Sequence, residues 1–210
     1  MIKDKTPDFC IGVLSFDASA KKSSDLDDLI AQKEQEIITN YTLKTLLKTP
    51  KILEARNAYK TYGKDPSRYR LAVESLFRRI IKGNKLYRIN QLVDIGNYLS
   101  LHLKKSTAVL DRNQIQGDIL IRLGKAEPYE GIARGEINIE QIPVYVDLKG
   151  PFGSTTSDTT RTMITDQTTS VLVFVISFTG KEELSEELAF AKTLFTQYAG
   201  ALNIETFIVE

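Results

Sequence analysis

The sequence contains one cysteine, Cys10, and one histidine, His102. A lone cysteine excludes an internal disulfide and is typical of the reducing cytoplasm, where we expect this protein. One cysteine with one histidine also excludes the usual zinc sites. A serine triad would have to use His102, and no G-x-S-x-G elbow accompanies it. The sequence therefore predicts neither a metal site nor a serine-hydrolase triad.

Long apolar runs and phosphate-binding motifs are missing as well. The longest apolar run, Val171–Ile176, is far shorter than the roughly 20 residues that a membrane span needs. The N-terminal segment MIKDKTPDFCIGVLSF lacks a small-residue cleavage pattern, which favours a first strand over Asp8–Phe16 rather than a signal peptide. Neither G-x-x-x-x-G-K-[ST] nor G-x-G-x-x-G is present. We expect no cofactor and no membrane contact.

The order of the periodic patterns favours an α+β fold in a single domain over residues 1–210. A net charge of +1 and 42% hydrophobic residues are typical of one globular core. Helices are predicted to begin after Ser24 or Asp25, at Thr49-Pro50, at Asp65-Pro66 with a stop at Gly83, and at Asn90. Short strands are predicted over Ile115–Leu123, Tyr129–Ala133, Glu136–Ile139 and Pro143–Asp147. Helices followed by clustered strands argue against a regular βαβ alternation.

The C-terminal part begins with a long polar loop, Lys149–Thr169, and continues with an unbroken apolar strand, Val171–Phe178. An apolar run of this kind predicts burial on both faces. Thr179 and Glu182 form a capping-box pattern for a last helix that ends at Gly200, and a final strand follows over Thr206–Val209.

A polar stripe on the helix after Asn90 is the first candidate site. Asn90, Asp94 and Asn97 follow helical spacing and contain no lysine or glutamate, unlike an ordinary solvated face. These residues either present amides and a carboxylate to a pocket, or form a network that caps neighbouring loops.

The long loop is the second candidate, because loops of this length are usually functional or mobile. Its hydroxyls and backbone N–H groups can hold an anion or a carbonyl oxygen, and Asp158 can orient a water molecule. The alternative is a polar surface loop. The candidate residues are Gly153, Ser157, Asp158, Arg161 and Thr162.

Positive charge is concentrated between Lys64 and Arg88, although the whole chain is nearly neutral. Such a face attracts a phosphate backbone. The alternative is a solvated helix side whose arginines pair with carboxylates elsewhere. The candidates for RNA contact are Arg68, Arg78, Arg79 and Lys82.

Four segments in this order resemble the B3/B4 tRNA-binding domain of the phenylalanyl-tRNA synthetase β subunit and its stand-alone relatives. They are YGKDPSRYRLAVESLFRRIIKG, INQLVDIGNYLSL, IQGDILIRLG and GPFGSTTSDTTRTMIT. The resemblance implies an α+β fold with a mainly antiparallel sheet around a central cleft, where the synthetase hydrolyses mischarged tyrosyl-tRNA. It implies that the polar stripe and Gly153, Ser157 and Arg161 bind substrate, that Asp158 and Thr162 serve the chemistry, and that the arginines meet RNA.

Two positions depart from the synthetase pattern. Ala108 stands where the synthetase carries a histidine shortly before an aspartate, here Asp111, and Val175 stands near the position of a glutamate that binds the tyrosine hydroxyl. Because an unpaired buried phenol costs about 1–3 kcal/mol, tyrosine specificity is not expected to be inherited.

Three functions follow from these patterns. The first is an aminoacyl-tRNA-interacting domain that hydrolyses mischarged aminoacyl-tRNA in trans without nucleotide-dependent charging. The second is a non-catalytic RNA-binding module with a vestigial cleft, and the third is a small-molecule binder that no longer binds RNA. The expected partner is tRNA or aminoacyl-tRNA and not DNA. The sequence does not identify the amino acid or the oligomeric state.

Overall fold

A computed structural model describes residues 1–4, 6 and 8–210. Lys5 and Pro7, which precede the predicted first strand Asp8–Phe16, lie outside the described residues. The helices are α1 (Asp27–Asn40), α2 (Leu43–Leu46), α3 (Pro50–Thr61), α4 (Ala72–Ile81), α5 (Gln91–Leu103) and α6 (Leu184–Ala199). The strands are β1 (Ile2–Asp4), β2 (Cys10–Asp17), β3 (Thr107–Asp111), β4 (Ile119–Leu123), β5 (Glu130–Gly131), β6 (Gly135–Glu136), β7 (Pro143–Asp147), β8 (Gly150–Ser154), β9 (Ser170–Ser177) and β10 (Leu202–Val209).

Two four-stranded sheets, a two-stranded sheet of β5 and β6, and a layer of helices make up the fold. The first sheet has the order β10-β2-β9-β3 and is antiparallel throughout. The second has the order β1-β4-β7-β8 and is antiparallel except for the parallel pair β1 and β4. This arrangement confirms the predicted α+β class with a mainly antiparallel sheet.

Strand β9 is buried on both faces, as its unbroken apolar run predicts. Val171, Val173 and Val175 pack in the core that the first sheet shares with the helices. The alternate residues Leu172, Phe174 and Ile176 pack in the core between the two sheets. The helices therefore cover one face of the first sheet and the second sheet covers the other.

Capping residues, a proline and glycines in the sequence predicted several helix boundaries correctly. Asn90 occupies the N-cap position of α5, and α3 begins at Pro50 after Thr49. Gly83 follows α4 with a φ of 81°, and Gly200 caps α6 with a φ of 61°. At these two glycines the left-handed backbone favours a residue without a Cβ.

Other boundaries differ from the prediction. Asp65 does not cap α4, which begins at Ala72. The Asp65 carboxylate instead binds the N–H and hydroxyl of Ser67 in an isolated turn, and the Ala72 N–H pairs with the carbonyl oxygen of Thr155. The predicted capping box is also wrong, because α6 begins at Leu184 with no side-chain cap.

The strand predictions also need correction in the middle of the chain. The predicted strand Ile115–Leu123 is shorter and begins at Ile119, and β3 was missed. The first residues of the predicted polar loop form β8, which pairs with β7. Strand β4 begins late because the Gln116 N–H donates to the Asp147 carboxylate and Gly117 has a φ of 76°. The glycine-containing β8 is stabilised by its pairing with β7 rather than by an apolar pattern of its own. No helix in the described part of the chain has the length and apolar character needed to cross a membrane.

A buried ion-pair cluster joins α3 to α4. The Glu74 side chain is completely buried, and its two carboxylate oxygens contact Arg56 Nη1 and Arg78 Nε, each at 2.7 Å. Removing one member of a buried pair is costly because the remaining charges lose their counter-ion.

We expect Glu74→Ala to lower the free energy of unfolding by about 3–5 kcal/mol, because two partly buried arginines are left without a carboxylate. Chemical denaturation at neutral pH measures the change. Glu54→Ala, at an exposed position of α3, is the matched control and should shift stability by less than about 0.5 kcal/mol. Equal effects of the two substitutions would contradict the proposed role of the cluster.

Candidate functional site

A pocket of about 230 Å³ lies between α5, β3 and the loop that follows β8. Most of its wall is apolar, and three of its residues, Ile89, Ile132 and Met163, are partly exposed to solvent. A concave apolar pocket with a few polar groups is the usual form of a small-ligand site. The apolar lining consists of Ile89, Val93, Val109, Ile132, Met163 and Ile164.

The close approach of α5 to β3 shapes one side of this pocket. A Cβ on Gly96 would stand 2.4 Å from Val109 Cγ2, so only glycine fits at this contact. Thr107 Oγ1 donates a hydrogen bond of 2.7 Å to the Gly96 carbonyl oxygen and also bonds the Ser100 hydroxyl at 2.7 Å. These contacts attach the helix to the strand and open the space beside Gly96.

Asp158 is the single carboxylate among the residues that line the pocket. Its Oδ1 atom is buried and has no hydrogen-bond partner among the described residues. A Cβ on Gly153 would lie 2.8 Å from this oxygen and 2.6 Å from Tyr145 Cδ2. The glycine therefore leaves the space that the carboxylate and the tyrosine ring occupy.

Burial raises the pKa of Asp158 to about 7, although a hydrogen bond from the Ser154 backbone acts in the opposite direction. An acid with this pKa is partly ionised at neutral pH. It can therefore accept or release a proton under ordinary conditions.

Asn97 contributes a second polar group from α5. It lines the same pocket, and its side-chain amide makes no hydrogen bond within residues 1–4, 6 and 8–210. The structure thus brings together Asn97 and Asp158, one from each of the two segments that the sequence analysis singled out.

The other members of the polar stripe have structural contacts. Asn90 Oδ1 accepts a hydrogen bond of 3.0 Å from the Val93 N–H and caps α5. The Asp94 carboxylate binds Arg88 Nε at 2.9 Å and the Ile89 N–H at 3.0 Å. Neither residue lines the pocket. The contacts of Asn90 and Asp94 are therefore those of a network that caps the helix and its neighbouring loop, the alternative interpretation of the stripe.

The remaining loop candidates hold the loop in place. Thr162 is fully buried and donates to the Phe152 carbonyl oxygen at 3.0 Å. Arg161 makes two bonds of 2.9 Å to the Asp147 carboxylate. The Ser157 N–H donates to Ser154 Oγ at 3.1 Å. None of these three candidates lines the pocket.

The basic segment is divided between paired and exposed cations. Arg78 is bound to Glu74, and the Arg79 guanidinium lies 3.7 Å from the centre of the Tyr87 ring. Arg68 and Lys82 are exposed and form no ion pair in the described part of the chain. Of the four arginine and lysine candidates, these two are the most accessible to a phosphate backbone.

The sequence analysis missed a group of buried tyrosines near the loop. The Tyr59 hydroxyl bonds Thr155 and Thr156, and the Tyr129 hydroxyl donates to the Ser157 carbonyl oxygen. The Tyr145 hydroxyl is buried without a partner among the described residues. No local signal indicates these contacts, because Tyr59 and Thr155 are 96 positions apart.

We expect Asp158→Asn to gain stability relative to the unchanged protein as the pH rises. The pKa of Asp158 is about 7 in the folded state, and an unfolded aspartate has a pKa of about 3.9. Between these values the folded protein binds more protons than the unfolded chain, so its stability falls as the pH rises and levels off once the pH passes the folded pKa.

Between pH 5 and pH 8 the difference in unfolding free energy should shift by about 2–3 kcal/mol in favour of Asp158→Asn. Denaturation curves at several pH values measure this shift. Asp166→Asn, in an exposed part of the same loop, should give a difference that does not change with pH. A pH-independent difference for Asp158→Asn would contradict the burial of an ionisable carboxyl.

The chain is similar to known proteins over most of its length. A search of curated proteins finds no match to the sequence. Among solved structures, the chain is similar to an N-terminal fragment of the phenylalanyl-tRNA synthetase β subunit from Pyrococcus horikoshii, with 11% identity and a TM-score of 0.49. The match covers 100% of this chain and 53% of that fragment, so the chain spans about half of its length.

A family model described as the B3/4 domain matches residues 54–189. This range is more than half of the 210 residues and contains α4, α5, β9 and the loop that carries Asp158. The chain belongs to the B3/4 domain family.

Proposed function

We propose that this protein binds aminoacyl-tRNA and hydrolyses the ester bond of mischarged species in trans. The observation that carries the proposal is the apolar pocket whose wall contains Asn97 and Asp158, in a chain of the B3/4 family. An aminoacyl group needs a pocket for its side chain and polar groups beside its ester, and this pocket contains both.

The chemistry requires no triad, because an aminoacyl ester is already reactive. A water molecule held by Asp158 attacks the ester carbonyl carbon, the bond from that carbon to the ribose oxygen breaks, and the ribose oxygen takes a proton. Asp158 is suited to receive the proton of the water because its pKa is about 7. Positioning the water against the ester supplies a further part of the rate.

The surroundings of the pocket support access by an RNA chain. Ile89 lines the pocket, and Tyr87, two residues earlier, is 65% exposed with Arg79 stacked on its ring. Exposed aromatic rings stack on nucleobases, and exposed cations such as Arg68 and Lys82 bind phosphates.

The alternative is a non-catalytic RNA-binding module, and two observations favour it. The Thr162 hydroxyl is fully committed to the Phe152 carbonyl oxygen, so Thr162 supplies no nucleophile. Val175 is completely buried in the core that faces the helices, and Ala108 is buried between the sheets, so neither position offers a polar group to a ligand.

Deacylation of a panel of correctly and wrongly charged tRNAs tests the enzymatic proposal. We expect selective hydrolysis of one mischarged species, and a reduction of about 10²-fold or more in Asp158→Ala, since general-base catalysis contributes this much. Asp166→Ala is the control from the exposed part of the loop and should retain the activity. Absence of hydrolysis across the panel would overturn the enzymatic proposal and leave the RNA-binding alternative.

The RNA face is tested by Arg68→Glu combined with Lys82→Glu, two exposed positions outside the ion-pair clusters. We expect weaker tRNA binding and a shallower salt dependence, with a log–log slope smaller by roughly 0.7–0.9 for each phosphate that the variant no longer binds. Filter binding over a range of salt concentrations measures both quantities. Lys192→Glu, at an exposed position of α6, is the matched control. A salt response that is flat in the unchanged protein would contradict any role in RNA binding.

A further inference from the structure

A cleft of about 670 Å³ opens between the two four-stranded sheets, at the side where their edge strands β10 and β1 contact each other. Strand β10 is eight residues long and β1 is only three, so the second sheet covers only part of β10. Strands β1, β2 and β10 form much of the cleft wall and lie outside residues 54–189, which match the family model. A cavity of this size is in the usual range for a small organic ligand.

The cleft and the pocket that contains Asn97 lie on opposite faces of the first sheet. Leu172 lines the cleft and belongs to the core between the two sheets. Val109 lines the pocket and packs against the core that the first sheet shares with the helices. The two cavities have no lining residue in common. A ligand in the cleft is therefore separated from the pocket by the first sheet.

Apolar side chains from both sheets line the cleft. Phe207 on β10 lies opposite Val13, which packs between the sheets, so the Phe207 ring is on the face turned toward the second sheet. It is nevertheless 42% exposed. A ligand with an apolar body would cover this surface and gain the free energy of burial. Further apolar residues of the lining are Ile2, Ile115, Ile119, Leu172 and Val209.

Arg112 is the one basic side chain among the described residues that line the cleft. It lies in a turn of 3₁₀ helix that follows β3, and its Nη1 donates a hydrogen bond of 3.1 Å to Oγ of the buried Ser15. Arg112 forms no ion pair with any described residue. The guanidinium is a planar fork of N–H donors, and most of these donors remain for an anion. A carboxylate is the group that such a fork binds in bidentate fashion.

Two glutamates in the lining limit the charge of the ligand. Glu210 is bound to Lys181 at 2.7 Å. Glu205 lies opposite Ser15 in the pairing of β10 with β2 and forms no ion pair with any described residue. These carboxylates repel an anion, and they repel a dianion more strongly than a monoanion. The charges of the cleft therefore favour a ligand with a single negative charge at Arg112.

We infer that this cleft binds a small apolar monocarboxylate. The carboxylate of the ligand binds the Arg112 guanidinium, and its apolar body lies between β10 and the second sheet, against Phe207. The inference goes beyond the proposed hydrolysis and RNA binding and does not depend on either, because it concerns a separate cavity.

The first experiment uses only the unchanged protein and compares octanoate with octanamide, which has nearly the same shape but no charge. Titration calorimetry at pH 7 measures both dissociation constants. We expect octanoate to bind at least about tenfold more tightly, the effect of a hydrogen-bonded charge. Hexanoate should bind roughly tenfold more weakly than octanoate, because two fewer methylene groups leave water. Equal binding of octanoate and octanamide, or no saturable binding of octanoate, would overturn the inference.

Variants then test the two charged residues of the cleft. Arg112→Gln should lower the affinity for octanoate to that for octanamide, and Arg112→Lys should retain part of the preference. Glu205→Gln should raise the affinity for octanoate by about two- to fivefold, because a nearby like charge is removed. Lys192→Gln, at an exposed position of α6, is the matched control and should change nothing. An octanoate affinity that is unchanged in Arg112→Gln, or lower in Glu205→Gln, would contradict the proposed ligand.

Backbone amide shifts in NMR spectra locate the ligand. Octanoate should shift the signals of Ser15 and Phe207 and leave those of Val93 and Ile132, which line the other pocket, unchanged. Shifts confined to Val93 and Ile132 would place the ligand in the other pocket and overturn the inference. Deacylation and tRNA binding are measured separately, so a failure here leaves the proposed function unaffected.

Discussion

The burial of β9 on both faces is the constraint on which the rest of the structure depends. Its valines contact the helices and its alternate residues contact the second sheet, so one strand belongs to two cores. Burial of this much apolar surface is the main driving force of folding. The helices that carry the site are therefore positioned on one face of a sheet, and the loop between β8 and β9 must pass beside them.

The pocket results from a close contact and from an anchored loop. Gly96 lets α5 approach β3 so closely that no other residue fits, and the Arg161–Asp147 pair together with Thr162 holds the loop. Several residues that the sequence marks as polar are thus structural. Their hydrogen bonds position Asp158, whose own carboxylate is left without a partner at Oδ1 among the described residues.

The buried carboxylates of Glu74 and Asp94 are paired with arginine, whereas Asp158 in the pocket wall has no ion-pair partner among the described residues. Glu74 and Asp94 are both buried, and each is neutralised by arginine. Asp158 forms no ion pair with any described residue, and burial raises its pKa to about 7. Asp111 is also buried without an ion pair among the described residues, but it accepts hydrogen bonds from Asn113 and Thr168, whereas Asp158 Oδ1 has no described donor. A perturbed pKa at a buried carboxyl is typical of functional sites.

The sequence by itself determined the features that depend on neighbouring residues: the start of α5 at Asn90, the glycine endings of α4 and α6, and the double burial of β9. Only the tertiary structure decided where α4 begins, that β8 interrupts the polar loop, and that Arg78 binds Glu74 while Arg68 forms no ion pair with a described residue. It also decided that Asn97 and Asp158, but not Asn90, Asp94 or Thr162, share a pocket. Caps and apolar periods act within a few residues of the chain, whereas these contacts join segments far apart in sequence, and their partners become neighbours only when the two cores form.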